Sequence, residues 1–328
     1  MKTGFLALAA VATIALASCS KSEDVAVNVL PEDGVIRVTA GVNNLATRAG
    51  VDDATLNQFG LYIINSNEGA PADYTYENIY MKKTPESGKW TPSEISTGLP
   101  LSTPLLWNRA SEKVTVTAYS PYLENITSMS ANNYVAKDQT AAEASTSSDL
   151  LWAKSEVTPS NPNPTNDIYY NTSDRSLTVQ MSHKLSKLRV NIKYGNELTQ
   201  GGVTPTLGNV VLSDTRCNYT FDLNEGVVTL DPNNTNPEDI TMHHETTDDS
   251  NFAAICEAIL VPQDAKFSVR ITVNGVVYEY TYPSNYTFES GKLYRLDLTV
   301  GKDMVTPSGI TSSEWGEGNG TGVGVETE

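Results

Sequence analysis

Residues 177–192 read LTVQMSHKLSKLRVNI, and this stretch decides the fold. Apolar and polar residues alternate along it, which is the pattern of a strand with one buried face. The alternating apolar residues are, in order, Leu177, Val179, Met181, Leu188, Val190 and Ile192. They occupy odd positions before Lys184 and even positions after Ser186. Because a strand cannot change its buried face without a bulge or a break, the sequence predicts that the chain passes from one sheet to another near 184–186.

The same alternation recurs along the chain, whereas a helical spacing of apolar residues is almost absent. It predicts further strands at 36–42, 59–64, 114–119, 210–212, 219–223, 227–230, 255–261, 267–273, 276–282 and 293–300. Asn274-Gly275 predicts a tight hairpin, since a type I′ turn needs positive φ at both positions. Asn224-Glu225-Gly226 predicts a looser hairpin. Many short strands at intervals of about ten residues indicate an all-β protein with β-sandwich architecture.

The N-terminus has the marks of an export signal. Lys2 is followed by an apolar segment and by the run Leu16-Ala17-Ser18-Cys19. A charged start, a short apolar core and small residues before a cut are typical of a secretory signal. The apolar segment is shorter than the roughly 20 residues that span a bilayer. We therefore predict a lipoprotein signal peptide at 1–18 and lipid on Cys19; the alternative is an ordinary signal peptide with an incidental cysteine.

The remaining residues, 19–328, are long enough for two hydrophobic cores. Ser160–Asn166 is rich in Pro and Asn and cannot continue a strand ladder, and 141–148 reads as a loop of small residues. We place the change of domain between 160 and 186. The predicted division is an N-terminal β-sandwich domain at 49–168 and a C-terminal β-sandwich domain with a tail at 169–328.

Charge and cysteine content limit the partners and the chemistry. The net charge is −17, and this argues against nucleic acid binding, which needs a basic face. A strongly acidic chain fits a self-repelling surface protein. Apart from Cys19 there are only Cys217 and Cys256. They could form a disulfide in an oxidising compartment or be two buried free thiols, and the sequence leaves both alternatives open.

Catalytic motifs are missing, and the titratable residues have simpler explanations. No nucleophile elbow, zinc-protease motif, phosphate-binding glycine loop or Cys-x-x-Cys pair occurs. His243-His244 is expected in a polar, solvated loop, and His183 in a core with a hydrogen-bond partner. Asp52-Asp53 and Asp248-Asp249 lack the spacing of a calcium loop and are expected in surface turns. The sequence therefore predicts a protein that is not an enzyme and holds no cofactor and no metal.

Several segments together resemble the fimbrillin family of Bacteroidales, the lipoprotein-derived subunits of surface pili. The most recognisable is Leu177–Ile192, with His183-Lys184-Leu185 at its centre. The others are Phe59-Gly60-Leu61-Tyr62, Lys113–Tyr119 with Ser120-Pro121-Tyr122, Asp149-Leu150-Leu151-Trp152-Ala153, Ala258–Pro262 and Phe288–Val300 with Gly291-Lys292-Leu293-Tyr294. Their order and spacing cover about 36–315. The acidic stretch Ser20–Asp24 also resembles the surface-export signal of lipoproteins from this group.

This resemblance implies two transthyretin-like, Greek-key β-sandwich domains in tandem. It implies an outer membrane lipoprotein precursor, anchored through Cys19, that becomes part of a cell-surface fimbria supporting adhesion. An Arg-specific protease would remove an N-terminal segment, and a strand from a neighbouring subunit would fill the groove left behind. The implied partners are this protease, other fimbrial subunits in a homo- or heteropolymer, and ligands on host or bacterial surfaces.

The residues that match these roles lie near the two chain ends. The segment 19–48 would carry a plug strand whose apolar side chains are Ile36, Val38, Ala40 and Val42. Arg48 lies just after it among small and polar residues, where a protease needs an exposed site. We predict cleavage between Arg48 and Ala49; the alternative is that Arg48 is an ordinary loop residue.

The C-terminal donor strand is less regular. Its candidate apolar residues are Val305, Ile310 and Trp315, with Pro307 and Gly309 interrupting the alternation. A regular donor would indicate a stalk subunit, and an incapable one a tip or accessory subunit. The rival hypothesis is a permanently anchored surface lipoprotein that binds glycans or host ligands through exposed tryptophans, namely Trp90, Trp107 and Trp315.

Overall fold

The computed structural model describes residues 29–43, 50–65, 67, 74–124, 126, 129–245 and 251–315. The signal peptide, Cys19, the Arg48–Ala49 bond and Asp248-Asp249 lie outside the described residues, as does the chain after Trp315. These predictions therefore remain predictions.

The described residues form 22 strands and one short helix. The helix is α1, Ala142–Ser148, and Gln200–Gly202 forms a 3-10 turn. The strands of the first half are β1 Val38–Val42, β2 Gln58–Ile64, β3 Tyr76–Lys83, β4 Trp90–Pro92, β5 Val114–Ser120, β6 Ser130–Tyr134, β7 Leu151–Val157, β8 Ile168–Asn171 and β9 Ser176–His183. Those of the second half are β10 Ser186–Tyr194, β11 Leu207–Thr215, β12 Asn218–Asp222, β13 Val227–Leu230, β14 Glu238–Thr241, β15 His243–Glu245, β16 Ala254–Leu260, β17 Gln263–Ala265, β18 Ser268–Val273, β19 Val276–Thr281, β20 Tyr286–Phe288, β21 Lys292–Val300 and β22 Val305–Glu314.

The first hydrophobic core is enclosed by one eight-stranded sheet. Its strands follow the order β1-β9-β7-β5-β2-β3-β4, and β8 pairs with β9 beside this path. The buried core residues between 36 and 181 alternate along these strands, as Phe59, Leu61 and Ile63 do in β2. The two edge strands, β1 and β4, meet at one cavity. The sheet therefore bends round its own core.

The second core lies among four smaller sheets. They have the strand orders β15-β16-β10-β21-β22, β14-β11-β18-β19, β13-β12-β6 and β17-β20. The buried side chains that join them include Leu188, Val190 and Ile192 of β10. The all-β prediction is thus confirmed. The transthyretin-like topology and the tandem arrangement of domains stay predictions.

The change of sheet occurs where the alternation changes position. β9 ends at His183 and belongs to the first sheet, whereas β10 begins at Ser186 and belongs to the five-stranded sheet. Leu185 between them already packs in the second core. The predicted change near 184–186 is therefore confirmed. β8 pairs with β9, and β9 pairs with β1 and β7, so the first sheet extends to His183. The division into domains at 49–168 and 169–328 stays a prediction.

Part of the first half also packs in the second core. β6 pairs with β12, so that Ala131 lies opposite Phe221. The buried Gln139 side chain accepts a hydrogen bond from the Ile259 N–H and donates one to the Ile259 carbonyl, both at 2.8 Å. Residues 130–139, with Tyr62, Tyr119 and Leu150, thus complete a core that is built mostly after 184. The two cores are interlocked along the chain and do not follow one another simply.

Three local differences from the predictions have physical causes. Residues 142–148, expected as a loop, form α1, since Ala and Ser tolerate a helix where no apolar stripe marks one. His243-His244, expected in a solvated loop, belongs to β15, which pairs with β16. β3 was not predicted because only one of its eight residues is buried, so no alternation marks it.

The predicted type I′ hairpin is confirmed. β18 and β19 pair from Ser268 opposite Thr281 to Val273 opposite Val276. The two turn residues, Asn274 and Gly275, have φ values of 51° and 79°. Both are in the left-handed region that this turn requires.

Candidate functional site

The strand predicted as a plug lies at the edge of the first sheet. β1 runs parallel to β9, with Val38 opposite Leu177 and Val42 opposite Met181. In this sheet β9 is its one strand neighbour, so β1 can leave without breaking a second ladder. The chain before β1 forms a bridge on the other side, where the Ile36 N–H donates to the Leu105 carbonyl at 2.8 Å.

The apolar side chains of this segment fill the first core. Ile36, Val38 and Val42 are buried in it, and Ala40 packs against it half-buried. Beside β1 a cavity of about 600 Å³ is lined by Trp90, Leu101 and Leu105, among others. Each aliphatic side chain of this size contributes about 1.5–3 kcal/mol when fully buried. Loss of β1 would therefore leave an apolar groove between β9 and β4.

Polar contacts hold the end of β1. The Val42 N–H donates to Asp53 Oδ1 at 2.7 Å, and the Asn43 N–H donates to the Met181 carbonyl at 2.7 Å. The chain is thus held in place as far as Asn43, five residues before Arg48. Asp52-Asp53, expected in a surface turn, lies in one, where Asp52 Oδ1 accepts from the Thr55 N–H and hydroxyl.

The candidate donor strand is β22, and it pairs antiparallel with β21 at the edge of its own sheet. None of its ten residues is buried; Val305 and Ile310 are half-buried. A bulge interrupts the ladder between Asp297 and Leu298 of β21. The apolar contacts along β22 are therefore few, and the strand depends on what holds its ends.

Trp315, directly after β22, supplies such a hold. Its side chain is 1% exposed and stacks on the His183 imidazole, with 4.1 Å between ring centroids and 2° between the planes. The Lys187 ammonium lies 5.4 Å from the indole centroid, and the Trp315 N–H donates to the Gly291 carbonyl at 2.7 Å. In this structure Trp315 is a buried anchor and not a free donor side chain.

The tryptophans of the rival hypothesis are not exposed as it requires. Trp107 is buried and meets Tyr170 edge-on at 5.7 Å. Trp90 is half-buried, packs edge-on against Phe59 at 4.9 Å and has the Lys83 ammonium over its ring. With Trp315 also buried, the expectation of three exposed tryptophans is wrong. An indole ring has a large apolar surface, and burying that surface in the core is more favourable than leaving it exposed for a ligand.

Asp149 is a functional candidate that the sequence reasoning did not single out. It is fully buried, and its Oδ2 accepts a hydrogen bond from the Val51 N–H at 2.8 Å. The same oxygen lies 2.9 Å from His183 Nδ1. The expectation that His183 is a core residue with a partner is confirmed. Asp149 belongs to one of the segments that resemble the family, but only the fold shows that it faces His183.

A second buried charge group lies on the five-stranded sheet. Lys187 Nζ lies 2.9 Å from Glu257 Oε2, and both side chains are fully buried. Arg189 Nε donates to Glu257 Oε1 at 2.6 Å. Burial alone would raise the pKa of Glu257, but Lys187 and Arg189 outweigh it and hold the pKa below its ordinary value. The group is therefore ionised and compensated within the fold.

The two cysteines are free thiols, and both are buried. Burial, together with nearby carboxylates, raises the pKa of Cys217 and of Cys256 to about 12. Of the two alternatives left open by the sequence, the structure has the buried thiols and not the disulfide. A thiol with so high a pKa is mostly protonated at neutral pH and is a weak nucleophile.

A further cavity of about 430 Å³ lies on the side of the first sheet that faces the β12–β13 hairpin. Polar groups line it on several sides, with Met129 among the apolar residues. The polar lining includes Tyr62, Glu77, Thr115, Thr117 and Lys154. Burial, and then the charge of Glu77, raise the pKa of Tyr62 to about 12. The size suits a small organic ligand.

Neither a metal-binding cluster nor a membrane-spanning helix occurs among the described residues. No set of three His, Cys, Asp or Glu side chains there is arranged to hold a metal ion. No helix in that part of the chain has the length and apolar character needed to cross a membrane.

Comparison with solved structures shows the fold. The chain is similar to a candidate cell adhesion protein of Bacteroides uniformis ATCC 8492, with 20% identity, a TM-score of 0.59, and coverage of 87% of this chain and 99% of that one. It is also similar to a candidate cell adhesion protein of Bacteroides ovatus ATCC 8483, with 18% identity, a TM-score of 0.64, and coverage of 86% and 97%. None of the curated proteins compared with the chain matches it.

Comparison with family models gives a more specific result. The model described as fimbrillin-like matches residues 47–315. The match begins just before the Arg48–Ala49 bond and ends at Trp315, so it spans both cores and β22 but leaves out β1. It thus covers well over half of the sequence, and the resemblance deduced from the ordered segments is confirmed. The chain belongs to the fimbrillin-like family.

Proposed function

We propose that this chain is a structural subunit of a cell-surface fimbria that supports adhesion. In this proposal it is exported as a lipoprotein with lipid on Cys19, cut between Arg48 and Ala49, and assembled by donor-strand exchange. Membership of the fimbrillin-like family supports the fimbrial role, the surface location and a non-enzymatic function. The observation that carries the assembly step is β1, an edge strand that fills the first core and precedes Arg48.

The energetics of β1 favour exchange over simple loss. An empty groove would expose apolar surface and the unpaired edge of β9, which is an aggregation hazard. A donated strand would restore main-chain hydrogen bonds worth about 0.5–1.5 kcal/mol each and rebury the apolar side chains. A groove that is filled until the cut and refilled by a neighbour therefore links proteolysis to polymer growth.

The test uses the purified full-length chain and an Arg-specific protease. We expect a new N-terminus at Ala49 and, on an unboiled denaturing gel, a ladder of multimers that heat disperses. The control is Arg48→Gln, which should stay uncut at this site and monomeric. An uncut Arg48 in the wild-type chain would contradict the maturation step. A clean cut without multimers would contradict self-polymerisation and favour a tip or accessory subunit.

A second candidate function rests on the cavity beside Tyr62. We propose that it binds a monosaccharide-sized glycan unit, because hydroxyl, carboxylate and ammonium groups surround an aromatic ring there. This replaces the tryptophan surface of the rival hypothesis. Thr117→Val removes a hydroxyl at nearly constant volume and should weaken glycan binding about tenfold, as expected for one lost hydrogen bond. Equal binding by wild type and variant, measured by calorimetric titration, would contradict the site.

A further inference from the structure

Residues that follow the predicted cleavage site and the residue that follows β22 meet at one buried site, which we call the clasp: Gly50, Val51, Asp149, His183 and Trp315. Asp149 connects the two sides of the clasp. Its carboxylate accepts from the Val51 N–H at 2.8 Å and lies 2.9 Å from His183 Nδ1. The His183 ring carries Trp315 stacked on its face. The residues just after Arg48 therefore share a site with the residue just after β22.

Gly50 makes the contact between the two ends direct. It has a φ of +99°, and a Cβ added to it would lie 2.9 Å from Trp315 Cζ2 and 2.9 Å from Asp149 Oδ2. Only a residue without a side chain fits between the indole and the carboxylate at this φ. Gly50 thus packs directly against Trp315, and movement of either one removes a contact of the other.

β22 depends on Trp315 more than a typical strand depends on one residue. None of the residues of β22 is buried, whereas Trp315 is almost fully buried. The other strong contacts near this end are the ion pair of Lys292 with Glu314 and the Trp315 N–H bond to Gly291. An exposed ion pair contributes little. Release of β22 therefore requires the indole to leave the clasp.

We propose that the clasp couples the state of the chain at Arg48 to the release of β22, so that the uncut chain retains its C-terminal strand and the cut chain frees it. The cut itself rests on the function proposed above. In the uncut chain the nearest described residues on the two sides of Arg48 are tied to the fold, Asn43 by its bond to Met181 and Val51 by its bond to Asp149. Cutting between them removes the first hold and frees the conformations of the new end.

The positive charge that the cut creates on the new N-terminus does not make up for the lost restraint on Gly50. A new α-ammonium on Ala49 would lie two residues before Val51. The Asp149 oxygens already have the Val51 N–H and His183 as partners. Moving a hydrated ammonium to a fully buried carboxylate carries a large desolvation cost. The lost restraint is therefore the larger effect, and the clasp opens more often after the cut.

Amide hydrogen exchange of β22 in the full-length chain tests the coupling. Local opening of a strand is read directly from the exchange rate of its amides. After cleavage at Arg48, we expect the amides of 305–314 to exchange about tenfold faster, while those of β10 keep their rate. An unchanged or slower exchange of β22 after a complete cut would overturn the proposal.

A pair of glycine variants tests the same coupling without protease. Gly50→Ala places a methyl group against Trp315, whereas Gly88→Ala has similar strain, with a φ of +67°, but open space around the methyl group. In the uncut chain, β22 exchange should rise about tenfold in Gly50→Ala and stay at the wild-type rate in Gly88→Ala. Equal rates in the two variants would overturn the coupling.

A third variant covers the case in which Gly50→Ala does not fold. Trp315→Phe keeps an aromatic ring for His183 but removes the part of the indole that reaches Gly50, so β22 exchange should again be faster. A wild-type rate would overturn the proposal. These variants are measured on uncut chains, so they give an answer even if Arg48 is never cleaved. Failure of the cut then contradicts the proposed maturation alone.

Discussion

Lys187 and Glu257 are the charged side chains most expensive to bury in the described part of the molecule. Each is fully buried, and they lie 2.9 Å apart. A buried ion pair pays a large desolvation cost, which attraction offsets only when the geometry is good. Arg189 adds a second bond to Glu257, and the Trp315 indole lies beside the Lys187 ammonium. The charges therefore hold β10 and β16 in one arrangement more than they add stability.

The first prediction concerns the removal of the negative charge from the buried ion pair of Lys187 and Glu257. Glu257→Gln leaves two cations beside a neutral amide and should lower the free energy of unfolding by about 3–5 kcal/mol. The matched control is Glu314→Gln, which breaks the exposed pair with Lys292 and should cost less than about 1 kcal/mol. Chemical denaturation at pH 7 measures both. Similar losses in the two variants would contradict the assignment of Glu257 as a buried, compensated charge.

The second prediction concerns pH. The pKa of Glu257 is lowered in the fold from its ordinary value of 4.5. The folded chain therefore binds this proton less readily than the unfolded chain does. Stability from Glu257 is fully present above pH 4.5 and is lost as the pH falls through the lowered folded value. Melting curves between pH 7 and pH 2 should show this loss in wild type, and a shallower loss in Glu257→Gln would identify its source.

β1 and β22 are both edge strands, but they are held in opposite ways. The segment with β1 places three buried aliphatic side chains in the first core. β22 has no buried side chain and is held by the clasp beyond its end. A strand of the first kind leaves a groove when it goes. A strand of the second kind leaves no such groove, and its release exposes mainly the Trp315 indole beyond its end.

The third prediction concerns β1. Ile36→Ala should destabilise the uncut chain by about 2–5 kcal/mol, because it empties space in a packed core. Thr39→Ala, at an exposed position of β1, should change stability by less than about 0.5 kcal/mol. After a cut at Arg48 and release of the segment, Ile36→Ala and wild type should unfold alike. A persisting difference would show that the segment stays bound after the cut.

The sequence was sufficient to predict the strands that bury one face in a core. It was not sufficient to predict strands without a buried face. β9, β10 and β21 alternate because each lines a core, and their predicted positions agree with the structure within a few residues. β3 has one fully buried residue, so no alternation marked it. β22 has none, and the family resemblance, not its alternation, pointed to a strand there. The clasp was beyond prediction, because stacking between His183 and Trp315 depends on the packing of distant segments. Conversely, the family resemblance came from the order of segments.

The two cores share chain in a way that limits their independence. β6 and Gln139 come from the first half and complete the second core. Trp152 Nε1 of the first sheet donates to the Leu223 carbonyl at 2.8 Å, and the clasp joins the cores again. The two cores are therefore connected by segments that cross between them. A change that destabilises one core should also destabilise the other.

The fourth prediction follows from this interlocking. A fragment of residues 184–328 lacks β6 and Gln139, which leaves β12 with β13 as its one strand neighbour and removes the Gln139 hydrogen bonds to the Ile259 backbone. It should not fold alone, and heteronuclear NMR should show narrow amide dispersion. A fragment that begins at residue 125 restores both and is the matched control, although it lacks β1 to β5 of the first sheet. A well-dispersed spectrum from 184–328 would show that the second core is self-sufficient.

The irregularity of β22 also affects whether the protein aggregates at high concentration. A strand from another molecule can add to the open edge of a sheet only where that edge exposes an unbroken row of N–H and C=O groups. Pro307 has no N–H, and the bulge by Asp297 turns the border aside. Repulsion from a net charge of −17 acts in the same direction. Concentrated stocks of the uncut chain should therefore stay clear and free of fibres for days, and turbidity should develop only once β1 is gone.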